Sequence, residues 1–197
     1  IMHPALLPRS ATAIPLVLLT AKALGPWTKE QPDNVKTLVD AAGFKADAGR
    51  ALLVHAADGS IARVLVGLGE GKDGFALASV PGALPPGDYA LEEIPAGMNG
   101  ETLVLGWSDG AYRFTKYKTG EKPRRLVLPK SIDAAEVSRQ AEAIDWLRDL
   151  VNTPPCDMGP ADLAAEAEAM AQEFGAKVEI TLGKALETGF PMVHAVG

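Results

Sequence analysis

Cysteine is almost missing from this chain: Cys156 is the single copy among 197 residues. No intrachain disulfide can form, so the fold does not depend on an oxidising compartment. No second thiol exists to share a zinc ion, and Cys156 itself reads as a small packing residue or a bystander. Histidine is scarce too, with only His3, His55 and His194. None has a second ligand at helical metal-binding spacing and no H-E-x-x-H occurs, which excludes the common helical zinc site. His55 reads as a core or hairpin residue. Positive charge is in the minority. Nineteen Lys and Arg against 25 Asp and Glu leave a net charge of −6, so a phosphate backbone is repelled on average. Long apolar runs are lacking as well. Nothing approaches the roughly 20 residues that a membrane helix needs, so no membrane partner is expected and the cytoplasm is the default location. The nearest imitation of a leader is Arg9, the stretch 11–19, and Ala21-Lys22-Ala23, loosely a secretory signal. Pro15 interrupts it, and a buried strand over 16–20 accounts for it better. Ile1 before Met2 reads as a cloning scar or a trimmed start.

What remains is an ordinary globular composition, 47% hydrophobic and 22% charged, long enough for one domain and part of another. Leu16 to Leu19 reads as a buried strand. Asp33 to Ala42 predicts a short helix, capped by Asp33, with Val35, Leu38, Val39 and Ala42 on one face and Gly43 at its end. The runs 51–55 and 61–68 predict strands joined through Asp58-Gly59, a hairpin signal. The stretch 69–100 is rich in Gly and Pro and reads as loops, with one strand around Tyr89 to Glu92. Residues 102–117 are ambiguous. Arg125 to Leu128 predicts a short strand ended by Pro129. Asp133 and Glu136 resemble a capping box. Val137, Ala141, Ile144, Leu147 and Val151 then follow helical spacing until Pro154-Pro155 stops the helix. Pro160 can open another helix, with Leu163, Ala167, Met170 and Phe174 on its apolar face and Gly175 closing it. Lys177 to Leu182 alternates as a half-buried strand does. This pattern predicts an α/β fold: an N-terminal α/β domain over 1–130, a linking helix over 131–152, and the opening of a second α/β domain over 153–197. A lone strand cannot complete a sheet, so the second unit is expected to be truncated.

Three chemical motifs compete with plainer readings. Gly69-Glu70-Gly71-Lys72-Asp73-Gly74 matches G-x-G-x-x-G directly after a strand, as a dinucleotide site requires. The helix that must follow is interrupted by Pro81 and Pro85, and the acidic candidates Glu92 and Glu93 lie near the expected position without that scaffold, so the run reads as a glycine-rich loop. Asp73 stands where a P-loop needs Ser or Thr. Gly106-Trp107-Ser108-Asp109-Gly110 matches the G-x-S-x-G nucleophile elbow. His194 is the only later histidine, and a nucleophile without its base is weak. The carboxylates Glu136, Glu142, Asp145, Glu166 and Glu168 read as solvated helix faces. Asp157, Asp162, Glu166 and Glu187 are acidic, but their spacing does not bring them together around a metal.

Three blocks resemble the leucyl (cytosol) aminopeptidase family of dinuclear metallopeptidases. They are Val64-Leu65-Val66-Gly67-Leu68-Gly69, the run from Gly110-Ala111-Tyr112-Arg113-Phe114 through Tyr117-Lys118, and Asp149-Leu150-Val151-Asn152-Thr153-Pro154 with its following loop and Pro160. The resemblance implies a macro-domain-like N-terminal domain, with the Tyr112-Arg113-Phe114 block on a helix. It further implies a homo-oligomer, a hexamer in the family, that removes N-terminal residues from peptides in the cytoplasm. The family uses two divalent ions, manganese or zinc, to polarise the carbonyl and activate a bridging water. Its ligand blocks, Gly-Lys-Gly…Phe-Asp-Thr-Gly-Gly and Asn-Thr-Asp-Ala-Glu-Gly-Arg, do not occur here, and Asn152-Thr153 runs into Pro154 instead. The resemblance therefore places no catalytic, metal or cofactor residue in this chain. Two other readings stay open. One is a macro-like ligand-binding module, for ADP-ribose in a cleft between loops 67–74 and 81–87, or for DNA as in some members of the family. The other is a serine esterase built on Ser108.

Overall fold

The apolar run Leu16-Val17-Leu18-Leu19 has no polar alternation, the mark of a strand covered on both faces. The computed structural model, which describes residues 2–91 and 93–196, places it at the centre of a sheet. Six strands form that sheet: β1 (Leu6–Leu7), β2 (Ile14–Leu19), β3 (Ala51–His55), β4 (Ile61–Gly67), β5 (Gly87–Leu91) and β6 (Arg124–Val127). Their order is β1-β6-β5-β2-β4-β3, and every pairing is parallel except β3 with β4. The helices are α1 (Ala21–Lys29), α2 (Asp33–Ala41), α3 (Val80–Ala83), α4 (Gly100–Ala111), α5 (Ala134–Asn152), α6 (Pro160–Phe174), α7 (Gly183–Gly189) and α8 (Pro191–Val196).

Successive β2 side chains point to opposite faces. Leu16 and Leu18 join one buried cluster with Val64, Val66, Tyr89, Trp107 of α4, and Val137 and Ala141 of α5. Val17 and Leu19 join the other with Leu65 and with Val35 and Val39 of α2. Trp107 and Tyr89 meet at a tilted 5.5 Å between ring centroids. The Trp107 indole N–H donates to the Arg124 carbonyl at 3.3 Å, so the buried ring keeps its polar atom satisfied.

The chain divides into two compact units, one through Arg148 and one from Asp149 onward, and the division falls within α5. In the second unit α6 begins on Pro160 and ends on Gly175 in the left-handed conformation, φ +64°. Two of its apolar positions stay on the surface, Leu163 at 51% and Phe174 at 66% exposure, while Met170 is half-buried.

Several expectations need correction. Lys177 to Leu182 forms no strand. Its alternation is real, but no described strand pairs with it, and an unpaired strand leaves its backbone bonds unmade. Pro32, not Asp33, is the N-cap residue of α2, and Asp33 sits in the first turn. The helix α4 ends at Ala111, so Tyr112 to Lys118 lies in the following loop rather than on the helix. At the start of α5, Asp133 accepts from the backbone N–H groups of Ala135 and Glu136. Glu136 turns to Arg139 and Gln140 instead of completing the box. The apolar stripe of α5 is buried at Val137 and Ala141 but exposed at Leu147 and Val151. Glu92 lies outside the described residues.

Candidate functional site

β2 lies between β4 and β5, so the chain leaves it toward one side of the sheet and later returns on the other. Open α/β sheets hold ligands at the carboxyl edge of such a switch point. A cavity of about 620 Å³ opens there, lined by the end of β2 with Thr20, Ala23, Trp27, Glu93 and Pro95. Thr20 caps α1, its hydroxyl accepting from the Ala23 N–H at 3.2 Å. The first glycines of the G-x-G-x-x-G run border the same edge. Gly69 and Gly71 hold φ of +56° and +74°, which only glycine adopts readily. The Gly69 carbonyl accepts from the Ala21 N–H at 2.8 Å. The loop thus binds to the start of α1, and no dinucleotide helix follows it, since α3 is a single turn. Glu93 reaches the cavity. The cleft imagined between loops 67–74 and 81–87 does not form. The first leaves the carboxyl end of β4, the second leads into the amino end of β5, and both strands run parallel to β2.

Ser108 sits inside α4, buried at 1% exposure, and its hydroxyl donates to the Val104 carbonyl at 3.1 Å. The two glycines beside it are packing devices. A Cβ on Gly110 would collide with the Ala78 carbonyl oxygen, and one on Gly106 would lie 3.1 Å from the Phe75 Cα. The motif is therefore a close-approach seam between α4 and residues 75–78, not an elbow. His55 ends β3 in solvent and His194 lies exposed on α8.

The acidic residues also find structural roles. Asp145, expected on a solvated face, accepts from the Nε2–H of His3 at 2.8 Å. Asp162 accepts from the Gly159 N–H at 2.9 Å, closing the start of α6. Glu166, Glu168 and Glu187 are exposed, as is Cys156. Among the described residues no group of three or more His, Cys, Asp or Glu side chains could hold a metal ion. Among the described residues no side-chain cluster fits a dinuclear metal pair.

One concentration of charge was missed by motif reading. Seven of the 19 Lys and Arg residues fall between Arg113 and Lys130, with Glu121 as the sole carboxylate. A running count of charge along the sequence reveals it; the net value of −6 conceals it. Three of these cations, Arg113, Lys122 and Arg124, line a cavity of about 260 Å³ together with Glu121, His3 and Asp145. Glu121 is held below the usual carboxylate range, first by its hydrogen bond from Arg124, then by that residue's charge, with smaller help from Arg113 and Lys118.

Residues 14–129 match the family model described as M17 aminopeptidase, N-terminal domain. A probable cytosol aminopeptidase of Streptomyces griseus is 33% identical over 181 residues, covering 78% of this chain and 32% of the relative. The crystal structure of a cytosol aminopeptidase from Coxiella burnetii is similar with a TM-score of 0.84 and 31% identity, over 96% of this chain and 42% of that one. The bottromycin maturation enzyme BotP in complex with Mn shares the fold at a TM-score of 0.70 and 22% identity, over 90% of this chain and 40% of that one. The chain spans 22% to 42% of the length of the curated relatives it matches.

Proposed function

Since the chain belongs to the M17 aminopeptidase family through its N-terminal domain, we propose that it is the N-terminal portion of a metal-dependent leucyl aminopeptidase. The whole enzyme would remove N-terminal residues from peptides in the cytoplasm with two divalent ions, manganese or zinc. The observation that carries this reading is the coincidence of two independent matches. Residues 14–129 fit the family's domain, and 96% of the chain overlays a cytosol aminopeptidase structure.

Within that enzyme, residues 1–130 form the N-terminal domain, 131–152 a linking helix and 153–197 the entry to the catalytic domain. The role of this portion is structural, in positioning the catalytic domain and building a homo-oligomer, a hexamer by family resemblance. The chemistry supports an inactive portion. Amide cleavage at neutral pH needs a strong nucleophile and a stabilised oxyanion. A dinuclear site supplies both through several converging carboxylates. In this chain Asp157, Asp162, Glu166 and Glu187 do not converge, and no group of metal-ligating side chains is assembled among the described residues.

The test is hydrolysis of leucine para-nitroanilide by this chain and by the longer parent protein, each with added manganese. The expected result is turnover by the parent and none by the chain. Metal-dependent turnover by the purified chain would show that the active site has been misplaced. An inactive parent with intact metal-ligand blocks would overturn the aminopeptidase assignment.

A further inference from the structure

We propose that the cavity between His3, the loop after α4 and α5 is a binding site for a phosphate group, free or carried by a small molecule. The proposal does not depend on the aminopeptidase reading. Three observations carry it. The first is the accumulation of cations against the protein's own charge. A chain of net charge −6 places seven cations and one carboxylate between residues 113 and 130.

The second is how those cations are held. Arg113 donates to the carbonyls of Gly110 and Tyr112 at 3.0 and 2.7 Å. Neutral carbonyls fix its guanidinium in place without cancelling its charge, which leaves the planar fork set for an oxyanion. Arg124 is anchored through Nε to the Leu84 carbonyl at 2.8 Å, and its Nη1 reaches Glu121 at 3.0 Å. Lys122 brings a third charge to the same cavity.

The third is the depth of the floor. The Arg124 side chain is only 13% exposed and His3 is 3% exposed. The Arg124 charge acts there through a medium poorer in water, where attraction to an anion is stronger than on an open surface, while Arg113 and Lys122 stand exposed at the rim. The two carboxylates that face the cavity are both engaged, Glu121 by Arg124 and Asp145 by His3. Each still opposes an anion. Glu121 in particular occupies an Arg124 donor that a phosphate oxygen could take, and it acts as a built-in competitor. At about 260 Å³ the cavity admits a phosphate with a small organic group attached.

The experiment is calorimetric titration of the full chain with inorganic phosphate and, separately, adenosine monophosphate, at constant ionic strength set with chloride. Four variants are compared: Arg113→Met, Lys122→Met, Glu121→Gln and Lys36→Met. The last removes an equal charge from α2. Saturable binding is expected, weakened about tenfold or more by Arg113→Met and by Lys122→Met, as loss of a charge-assisted contact implies. Glu121→Gln should tighten binding several-fold, and Lys36→Met should leave it unchanged. Tighter binding of the nucleotide than of inorganic phosphate identifies a phosphorylated metabolite as the ligand. Equal affinity identifies the free oxyanion. Absence of saturable binding to either, or a loss in Lys36→Met equal to that in the cavity variants, overturns the proposal.

Discussion

Single side chains in this protein are decided by what they touch rather than by the motif that contains them. Asp88 on β5 shows the clearest case. Its carboxylate accepts from Arg125 on the neighbouring strand and from the Ser10 hydroxyl, each at 2.8 Å. Burial pushes its pKa up, but the hydrogen bonds from Arg125 and Ser10 and the charge of Arg125 outweigh that and hold it below the usual range. A lowered folded-state pKa contributes stability that is complete above about pH 5, begins to fade near the ordinary aspartate value of about 4, and is lost once pH falls through the lower folded-state value. Arg125 is 40% exposed, so solvent screens the pair. Asp88→Asn should lower stability by about 1 kcal/mol at pH 7 and by almost nothing at pH 2. Urea unfolding of both proteins at the two pH values checks this, and an equal loss at both would refute the ion pair's role. Ser108 makes the complementary point. Buried and bonded to its own helix, it should not label with a fluorophosphonate probe. Ser108→Ala should change stability by no more than about 1 kcal/mol, since only a local back-bond is lost. Stoichiometric labelling that disappears in the variant would restore the hydrolase reading.

At the scale of elements, α4 sets helix propensity against packing. Gly106 and Gly110 each weaken a helix by about 1 kcal/mol relative to alanine, so propensity alone says that Gly110→Ala stabilises. The structure says the reverse, because the new Cβ would meet the Ala78 backbone. Overpacking against backbone costs about 1–3 kcal/mol or more, so the variant should melt several degrees lower. A rise in melting temperature would show that the seam is loose. The same helix explains part of what sequence reading could not reach. Its two glycines, four residues apart, imitate a catalytic elbow, and only the neighbouring segment at 75–78 shows what they serve. The β3–β4 hairpin and α5 were legible because their signals are local: Asp58-Gly59 for one, and Asp133 with the Pro154-Pro155 stop for the other. β1 was not, because Leu6–Leu7 is a strand only through its pairing with β6. α1 was hidden by Gly25 and Pro26 inside it, residues that normally argue against a helix. The alternation at 177–182 misled because periodicity gives a face but cannot supply a partner strand. The basic cavity was invisible to motif reading, since its residues come from three separate stretches of chain.

The whole molecule assembles its sheet from strands that are distant in sequence, and this sets an order of events. β2 finds its partners β4 and β5 within about seventy residues, and β3 pairs with its immediate successor. β1 is different. Leu6 pairs with Leu126 and Leu7 with Val127, and the His3 backbone N–H donates to Ser138 at 3.2 Å. Residues 3–7 are thus among the last to find their places. Closing so long a loop costs entropy that only contacts already formed can offset. The central strands can condense while the segment that forms β1 is still undocked. In native-state hydrogen exchange, the backbone amides of β2 and β4 should open only with global unfolding. Those that β1 protects, Leu126 and Leu128, should open at lower free energy. Equal protection across all of these strands would show that the first strand docks as part of the nucleus. The two-residue pairing that completes the sheet thus also works as a timer: until residue 127 has been synthesised, one edge of β6 does not yet exist to receive it.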